Sequence, residues 1–416
     1  MFASYRRTLQ APGTVAFVLA GLLARFPIGM SGVAAVFMVT GALGSYALAG
    51  ALSATVLAVI ALAGPQVSRL VDRRGQARVA VPAQLLAVSG GMSELLGLHF
   101  GAPRWLLFAA AALTGVGPNV GSMSRARWAA LHPGEEELLH SAYALETVID
   151  ELCFILGPIA ATLLATTLFP SAGYLAVGVL LILGTLLFCA QRRTEPEVRG
   201  AGGASGGGSA LRTPALRVVT LTLTATGAVF GLMEITVIGF ADAHHHKAAA
   251  SLVLACYALG SCLSGIGFGL WKPKGSAATR LPLFLLAMTA LLALLPLVRS
   301  LPELAATLFA AGFCTAPTMV TAMGVVRDRV PPHTLNEGFS WATTGLLIGV
   351  SAGAAVGGWA VQHLGAGAGF RIPAAMSGLA LLIALLGRRG LAERPAAARR
   401  PAAEPSEAPG PVSQVQ

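Results

Sequence analysis

Long apolar segments recur along almost the whole chain, and they restrict its fold more than any other feature. A helix crosses a bilayer core about 30 Å thick with roughly 20 apolar residues, and about a dozen such stretches occur between short polar breaks. Backbone groups in lipid must be hydrogen-bonded within the segment, and the alternating pattern of a membrane barrel is absent from the sequence. The sequence therefore predicts an all-α integral membrane protein.

The apolar runs predict twelve transmembrane helices. A Gly- and Ser-rich stretch, "RGAGGASGGGSALR", follows the sixth run and is too poor in apolar residues to fold. We therefore predict a first six-helix bundle over 1–190, a cytoplasmic linker over 191–214, a second bundle over 215–390, and a disordered tail over 391–416. The predicted spans cover residues 13–37, 42–66, 79–98, 104–125, 139–168, 171–190, 215–240, 249–271, 281–298, 303–326, 336–362 and 367–387.

Basic residues lie mainly at one set of segment ends, which predicts the orientation by the positive-inside rule. The formal net charge is +10, but the charges form no single stripe, so we expect no nucleic-acid partner. We predict a multi-pass protein of the cytoplasmic membrane with both termini inside. The predicted inner side carries Arg6, Arg7, Arg125, Arg127, Arg192, Arg193, Arg327 and Arg329, whereas the outer side keeps Arg104, Lys247, Arg299 and Arg371.

Residues typical of catalysis or metal binding do not converge in the sequence. The five cysteines lie in apolar runs without paired spacing. The tract His244 to His246 lies in a predicted outer loop, where a solvated loop explains it better than a metal site. No nucleophile elbow or phosphate-binding loop occurs. We therefore expect no enzyme activity, no cofactor and no metal, and energy drawn from ion or substrate gradients.

The loop between the second and third predicted spans reads "SRLVDRRGQARV", residues 68–79. Asp72, Arg73, Gly75 and Arg78 resemble the signature of the major facilitator superfamily in this loop, although Ser68 stands where the family usually has glycine. The resemblance implies two pseudo-symmetric six-helix bundles and a cytoplasmic latch that engages a facing helix end in one conformation. A basic loop that merely obeys the positive-inside rule is the alternative.

The fifth span contains "CFILGPIAA", which resembles the antiporter motif of drug and metabolite exporters in this superfamily. Gly157 and Pro158 match that motif, while Cys153 and Ala161 stand where glycines are usual. All four residues are small or bend the helix, so a neighbouring helix can approach closely. The resemblance implies efflux by exchange with protons.

Three carboxylates, Glu146, Asp150 and Glu151, precede that motif. At 100° per residue Glu146 and Asp150 share the face that leads to Gly157, whereas Glu151 lies well round the helix. A charge at the bilayer centre costs about 3 kcal/mol unless it is paired or protonated. Arg25, near the middle of the first span, is the predicted partner of Asp150 or Glu146. The pair either holds the first bundle together or lines the substrate or proton path.

Two further acids lie in predicted spans. Glu234 falls in span seven, which usually faces the central cavity in the resembled superfamily, so it is a candidate for the substrate or proton path. Glu94 in span three is included in the candidate path, although we expect it to tip toward the outer interface or to pair within its own half. The arginine that many proton-coupled relatives carry in span four is replaced by Ala111, four residues before Gly115.

These features predict a secondary transporter that exports a small organic molecule in exchange for protons by alternating access. A proton-coupled importer of a sugar or other metabolite is the alternative. A sensor or membrane assembly factor that transports nothing is a third hypothesis. The expected partners are the substrate, protons and the lipid bilayer, and we expect a monomer.

Overall fold

The computed structural model describes residues 3–197, 209–246, 249–270, 276–364 and 369–392, which are helical with short connections. Most of the predicted linker and tail, residues 198–208 and 393–416, lies outside this part. The α-helices are α1 Ala3–Thr8, α2 Thr14–Leu43, α3 Tyr46–Arg74, α4 Gln76–His99, α5 Arg104–Thr114, α6 Val120–Leu131, α7 Glu136–Thr167, α8 Ala172–Ala190, α9 Pro214–Ala243, α10 Ala249–Leu270, α11 Ala277–Leu292, α12 Leu301–Arg329, α13 Leu335–Leu364, α14 Arg371–Leu386 and α15 Arg388–Ala392.

The prediction of a twelve-span helical membrane fold is confirmed. In the described ranges, ten helices are long and apolar enough to cross a membrane, and shorter apolar helices occur where the fourth and twelfth spans were predicted. The remaining three helices are α6 and the short flanking segments α1 and α15. We refer to α1–α8 as the first half and to α9–α15 as the second half.

The fourth predicted span is broken, so the prediction of one continuous helix over 104–125 is wrong. Helix α5 ends at Thr114, and α6 starts at Val120. The intervening residues include two glycines and Pro118, which disfavour a continuous helix. The Asn119 side chain then caps α6 by accepting a hydrogen bond from the Ser122 backbone N–H at 2.9 Å. The break gives the chain a separate helix, α6, with its own N-terminal cap.

Other boundaries differ less from the prediction. The second span was expected to end at 66, but α3 continues for two further turns to Arg74. It ends at Gly75, whose φ of 92° suits a residue without a side chain, at the tight turn predicted there. The ninth predicted span is a helix only as far as Leu292, followed by a 3-10 turn over Leu295–Leu297.

Each half is built on a helix crossing lined by small residues. In the first half α2 packs on α7 and α8, and a Cβ atom at Gly157 of α7 would lie 2.8 Å from the Gly29 Cα atom. In the second half α9 packs on α13, and a Cβ atom at Gly231 would lie 2.6 Å from the Ala354 backbone nitrogen. Backbones that approach this closely gain dispersion contacts in lipid, where burial of apolar surface does not drive association.

The two halves meet at one end of the molecule, which we call the basic end because it carries loop 68–79 and the starts of α7 and α13. Here the Ser141 hydroxyl of α7 donates a hydrogen bond of 2.7 Å to the Gly269 carbonyl of α10. Within the described residues, hydrogen bonds between α2–α8 and α9–α15 occur from this end up to Glu151 and Ser261. The halves are therefore closed against each other at the basic end.

Candidate functional site: a charged cluster between α2, α6 and α7

Arg25 of α2 is the centre of a buried ionic cluster. Its Nη1 atom lies 2.7 Å from Glu146 Oε2 and 2.9 Å from Asp150 Oδ1. Its Nε atom donates to the Gly21 carbonyl at 3.1 Å, one turn earlier on α2. Only 2% of the side chain is exposed. The structure thus brings Arg25 to both carboxylates that the sequence offered as alternative partners.

The close crossing of α2 and α7 explains this contact. Gly29 follows Arg25 by one helical turn and faces the Cys153 backbone, while Gly157 faces Gly29 from α7. Because these small residues let the two backbones approach closely, the Arg25 guanidinium comes within contact distance of the carboxylates on α7. Gly157 of the predicted antiporter motif therefore contributes directly to helix packing beside the cluster.

Arg125 is the member of the cluster that sequence reasoning missed. It lies on α6, where its Nη2 atom contacts Asp150 Oδ2 at 2.6 Å, and its side chain is only 7% exposed. The sequence analysis assigned it to the inner surface as a topology signal. The overlooked signal is "GPN", residues 117–119, since a break there starts a new helix and turns Arg125 toward α7.

Glu146 and Asp150 have different environments within the cluster. Glu146 is fully buried and accepts hydrogen bonds of 2.8 Å from the Ser124 hydroxyl and the Trp128 indole N–H. Asp150 keeps 30% of its side chain exposed although both oxygens bind arginines. The two cations and two anions balance when all four groups are ionised. Asp150 is therefore the carboxylate of the cluster most accessible from outside the protein.

The other predicted path residues lie apart from this cluster. Glu151 lies well round α7 from the face that contacts Arg25, as expected, and accepts a 2.7 Å hydrogen bond from the Ser261 hydroxyl of the second half. Glu234 of α9 is exposed, and in the described part of the chain it has no hydrogen bond or ion pair.

Of the two positions expected for Glu94, the structure shows the one within its own half. Its side chain is 2% exposed between α4 and α8, and the Tyr174 hydroxyl donates a hydrogen bond of 3.0 Å to it. It therefore pairs within its own half and does not join the Arg25 cluster.

The predicted latch residues lie where α3 meets the start of α13. Asp72 Oδ2 accepts the Glu337 backbone N–H at 2.9 Å, and Oδ1 accepts the Asn336 side-chain N–H at 2.6 Å. A carboxylate at a helix N-terminus satisfies free N–H groups and interacts favourably with the helix dipole. Arg73 and Arg78 are exposed beside it. Asp72 therefore joins the halves at the basic end.

A second buried arginine also escaped the sequence analysis. Arg127 is fully buried, and its Nε donates to Gln76 Oε1 at 2.7 Å while Nη1 donates to Thr194 Oγ1 at 2.8 Å. Its guanidinium carbon lies 3.9 Å from the centre of the Phe188 ring, a cation–π contact. These contacts hold the chain that leaves α8 against α4 and α6.

The chemistry available in the cluster is proton binding and ion pairing. Among the residues that the structure describes, no group of three or more His, Cys, Asp or Glu side chains is arranged to hold a metal ion. Breaking one partner of a buried ion pair costs about 3–5 kcal/mol because a charge stays uncompensated. A change in the charge of Asp150 thus acts directly on the arginines of two other helices.

Comparisons with known proteins agree with the fold. The family model described as Major Facilitator Superfamily matches residues 17–274 and 235–414. No curated relative matches the sequence.

Solved transporters cover nearly the whole chain at low sequence identity. The human organic anion transporter TETRAN is 16% identical with a TM-score of 0.70, covering 90% of this chain and 100% of its own. A bacterial homologue of the iron transporter ferroportin, outward-facing, is 15% identical with a TM-score of 0.72, covering 90% and 98%. The E. coli fucose:proton symporter FucP is 12% identical with a TM-score of 0.67, covering 90% and 98%. These proteins are transporters and not enzymes, and the chain belongs to the Major Facilitator Superfamily.

Proposed function

We propose that the chain is a proton-coupled transporter that exports a small organic molecule across the cytoplasmic membrane by alternating access. The observation that carries the proposal is the position of Asp150, which is partly exposed yet bound to Arg25 at 2.9 Å and to Arg125 at 2.6 Å. Buried ionisable groups in transmembrane helices mark substrate and proton pathways in transporters. Asp150 is the proposed proton-binding residue, and Glu146 the fixed counter-charge of Arg25.

Protonation of Asp150 provides a route from proton binding to conformational change. It removes one negative charge from a cluster that is otherwise balanced. In the described part of the chain Arg125 forms an ion pair with Asp150 alone, so it then lacks a counter-charge. A buried uncompensated arginine is unfavourable, which weakens the contact of α6 with α7. Proton binding therefore biases the packing of helices within the first half.

We infer the transport state of this structure from the predicted orientation. If both termini are cytoplasmic, as the positive-inside rule predicts, the closed basic end faces the cytoplasm and the structure is an outward-facing state. The similarity to a ferroportin homologue in an outward-facing state supports this assignment. In this state Asp150 exchanges protons with the acidic outer side. The halves then open inward to collect substrate, and export is complete when they open outward again.

A proton-coupled importer is the second candidate. The observation in its favour is the fold shared with the fucose:proton symporter FucP. The similarities to an organic anion transporter and an iron transporter homologue show that this fold serves several substrates. The fold therefore does not distinguish import from export, and the direction of transport has to be argued from the site. The Gly157 and Pro158 motif, typical of exporters, supports the first candidate.

A pH-jump experiment tests proton binding without knowledge of the substrate. Purified protein in proteoliposomes on a solid-supported membrane gives a transient current when an acidic pulse protonates a buried carboxylate. We expect this current in the wild type and in Glu303→Gln, a change of an exposed carboxylate at the start of α12. We expect it to be clearly smaller in Asp150→Asn, which retains Glu151 and Glu234 but lacks the proposed proton-binding carboxylate. An undiminished current in Asp150→Asn refutes the proposal.

The direction of transport requires a second measurement. Everted membrane vesicles with an acidic lumen are incubated in turn with organic cations, organic anions and sugars, and the uptake of each compound into the lumen is measured. Export predicts accumulation of a panel member that is lost when the pH gradient is collapsed. Accumulation only when the lumen is alkaline indicates the importer instead.

A further inference from the structure

A strip of aromatic and carboxylate side chains crosses from the second half to α7, outside the charged cluster. The Phe230 ring of α9 packs edge-on against the Tyr257 ring of α10, with centroids 6.2 Å apart. Tyr257 is fixed by a 2.7 Å hydrogen bond between its hydroxyl and Thr315 of α12. One turn along each helix from this pair lie Glu234 and Ser261, and Ser261 binds Glu151 at 2.7 Å. We call these residues the aromatic strip.

The strip faces the interior of the bundle and not the lipid. On α10 the exposed leucines Leu259 and Leu263 lie about 160° round the helix from Tyr257 and Ser261, because each is two residues away. On α9 the exposed Leu221 lies about 180° from Phe230. The faces that carry the strip are thus opposite to those that carry exposed leucines.

The order of the residues follows from the directions of the helices. Helices α9 and α10 are consecutive and antiparallel, so the turn from Phe230 to Glu234 leads away from the basic end. The turn from Tyr257 to Ser261 leads toward it. Glu234 therefore lies above the aromatic pair, and Glu151 lies below it, where it accepts the hydrogen bond from Ser261 that is farthest from the basic end among those between the halves in the described ranges.

The charges of the strip are uncompensated. In the described ranges neither Glu151 nor Glu234 forms an ion pair, in contrast to Glu146 and Asp150, which hold both arginines of the cluster. Glu151 has a neutral hydroxyl donor, and Glu234 is exposed without a hydrogen bond. Carboxylates at membrane depth without a cation are unfavourable unless a proton or a ligand compensates them.

We propose that the aromatic strip is the substrate-binding site and that it takes an amphiphilic organic cation. The π faces of Phe230 and Tyr257 attract a cation, and the carboxylates above and below supply the opposite charge. An apolar cation with delocalised charge loses little hydration on entry, so it fits a site with two aromatic rings. This proposal rests on the proposed transport function and names the substrate class for it.

The site also lies where alternating access requires a ligand to bind. Ser261 and Glu151 belong to different halves, so a ligand beside their hydrogen bond contacts both bundles. When the basic end opens, α7 and α10 separate and Glu151 loses its hydroxyl donor. Its carboxylate is then free to move with the ligand or to take up a proton.

Equilibrium dialysis tests the substrate class on the full chain in detergent. Tetraphenylphosphonium serves as the organic cation, and tetraphenylborate, of nearly the same shape and opposite charge, as the matched anion. Protein-free micelles give the background for each probe. We expect saturable binding of tetraphenylphosphonium and background binding of tetraphenylborate to the wild type.

Point variants locate that binding. Glu234→Gln should weaken tetraphenylphosphonium binding about thirtyfold, as expected when the carboxylate that compensates the bound cation is removed. Tyr257→Leu should weaken it about tenfold by removing a cation–π face. Asp242→Asn, which removes a carboxylate two turns further along the same helix, should change it less than about twofold. Thermal unfolding confirms that each variant is folded.

The outcomes separate the two proposals. Absence of saturable tetraphenylphosphonium binding, equal binding of tetraphenylborate, or unchanged binding in Glu234→Gln overturns the organic-cation site. A wild type that binds the cation but shows no pH-jump current refutes the proposed proton coupling and leaves the site standing. A normal current without cation binding refutes the substrate class alone.

Discussion

The close crossing of α2 and α7 yields a sharp prediction, because one methyl group should disrupt both packing and the charged cluster. A Cβ atom at Gly29 would lie 2.8 Å from the carbonyl carbon of Cys153 and closer still to its oxygen. Both atoms belong to the backbone of α7, so no rotamer change relieves the clash. Gly29→Ala can be accommodated only if the two helices move apart.

The size of the effect follows from these distances. Non-bonded carbon atoms are most stable about 3.5–4.0 Å apart, so the helices must separate by about 1 Å. The same movement lengthens the 2.9 Å contact between Arg25 and Asp150 beyond hydrogen-bonding range. Overpacking of this kind costs about 1–3 kcal/mol. The gain in helix propensity from glycine to alanine, about 1 kcal/mol, offsets part of this cost.

A matched control lies one turn away on the same helix. A Cβ atom at Gly32 meets nothing within 4 Å, so Gly32→Ala has the same propensity gain without the clash. In unfolding by sodium dodecyl sulfate in mixed micelles, we expect Gly32→Ala to leave the free energy of unfolding unchanged or to raise it. Gly29→Ala should lower it and reduce the pH-jump current. Equal effects of the two substitutions would refute the role of this crossing.

Three further substitutions test the latch at Asp72, the helix break at Asn119 and the buried Arg127. Asp72→Asn removes the charge at the start of α13, so spin-label distances across the basic end should show an open population raised about fivefold; an unchanged distribution contradicts the latch. Asn119→Ala removes the cap of α6 and should lower the free energy of unfolding by about 1 kcal/mol, whereas Asn119→Asp should not. A lysine at position 127 cannot bind Gln76 and Thr194 together, so Arg127→Lys should lower the free energy of unfolding by about 1.5–3 kcal/mol. An unchanged free energy of unfolding would show that those hydrogen bonds do not stabilise the protein.

The fold was readable from the sequence because lipid demands long, continuous apolar helices. Segment length and apolar content alone identify spans such as α7 and α9. The fourth span escaped the same reasoning, since segment length and apolar content do not reveal where a helix is interrupted. Turn chemistry at Pro118 and Asn119, and not hydropathy, decides that feature.

The charged cluster was only partly predictable for a related reason. Helical spacing placed Glu146 and Asp150 on one face and Glu151 on another, because the angle between residues on one helix is fixed. The distances between helices are not encoded in that way. Arg125 reaches Asp150 only because α6 starts after the break, and a basic residue near a predicted span end looks like an ordinary topology signal.

Helix α7 gains its proposed importance from two adjacent acids whose side chains point about 100° apart round the helix. Asp150 binds arginines of the first half, and Glu151 binds a serine of the second half. A rigid rotation or shift of α7 cannot change one contact without changing the other, since neighbouring residues move together on a helix. If Asp150 takes up the proton and Glu151 adjoins the organic cation, the two ligands bind to consecutive residues of α7. Binding of one ligand can then affect binding of the other through movement of this single helix. The double variant Asp150→Asn with Glu151→Gln should then show a coupling energy in cation binding, whereas additive effects would show that the two carboxylates act independently.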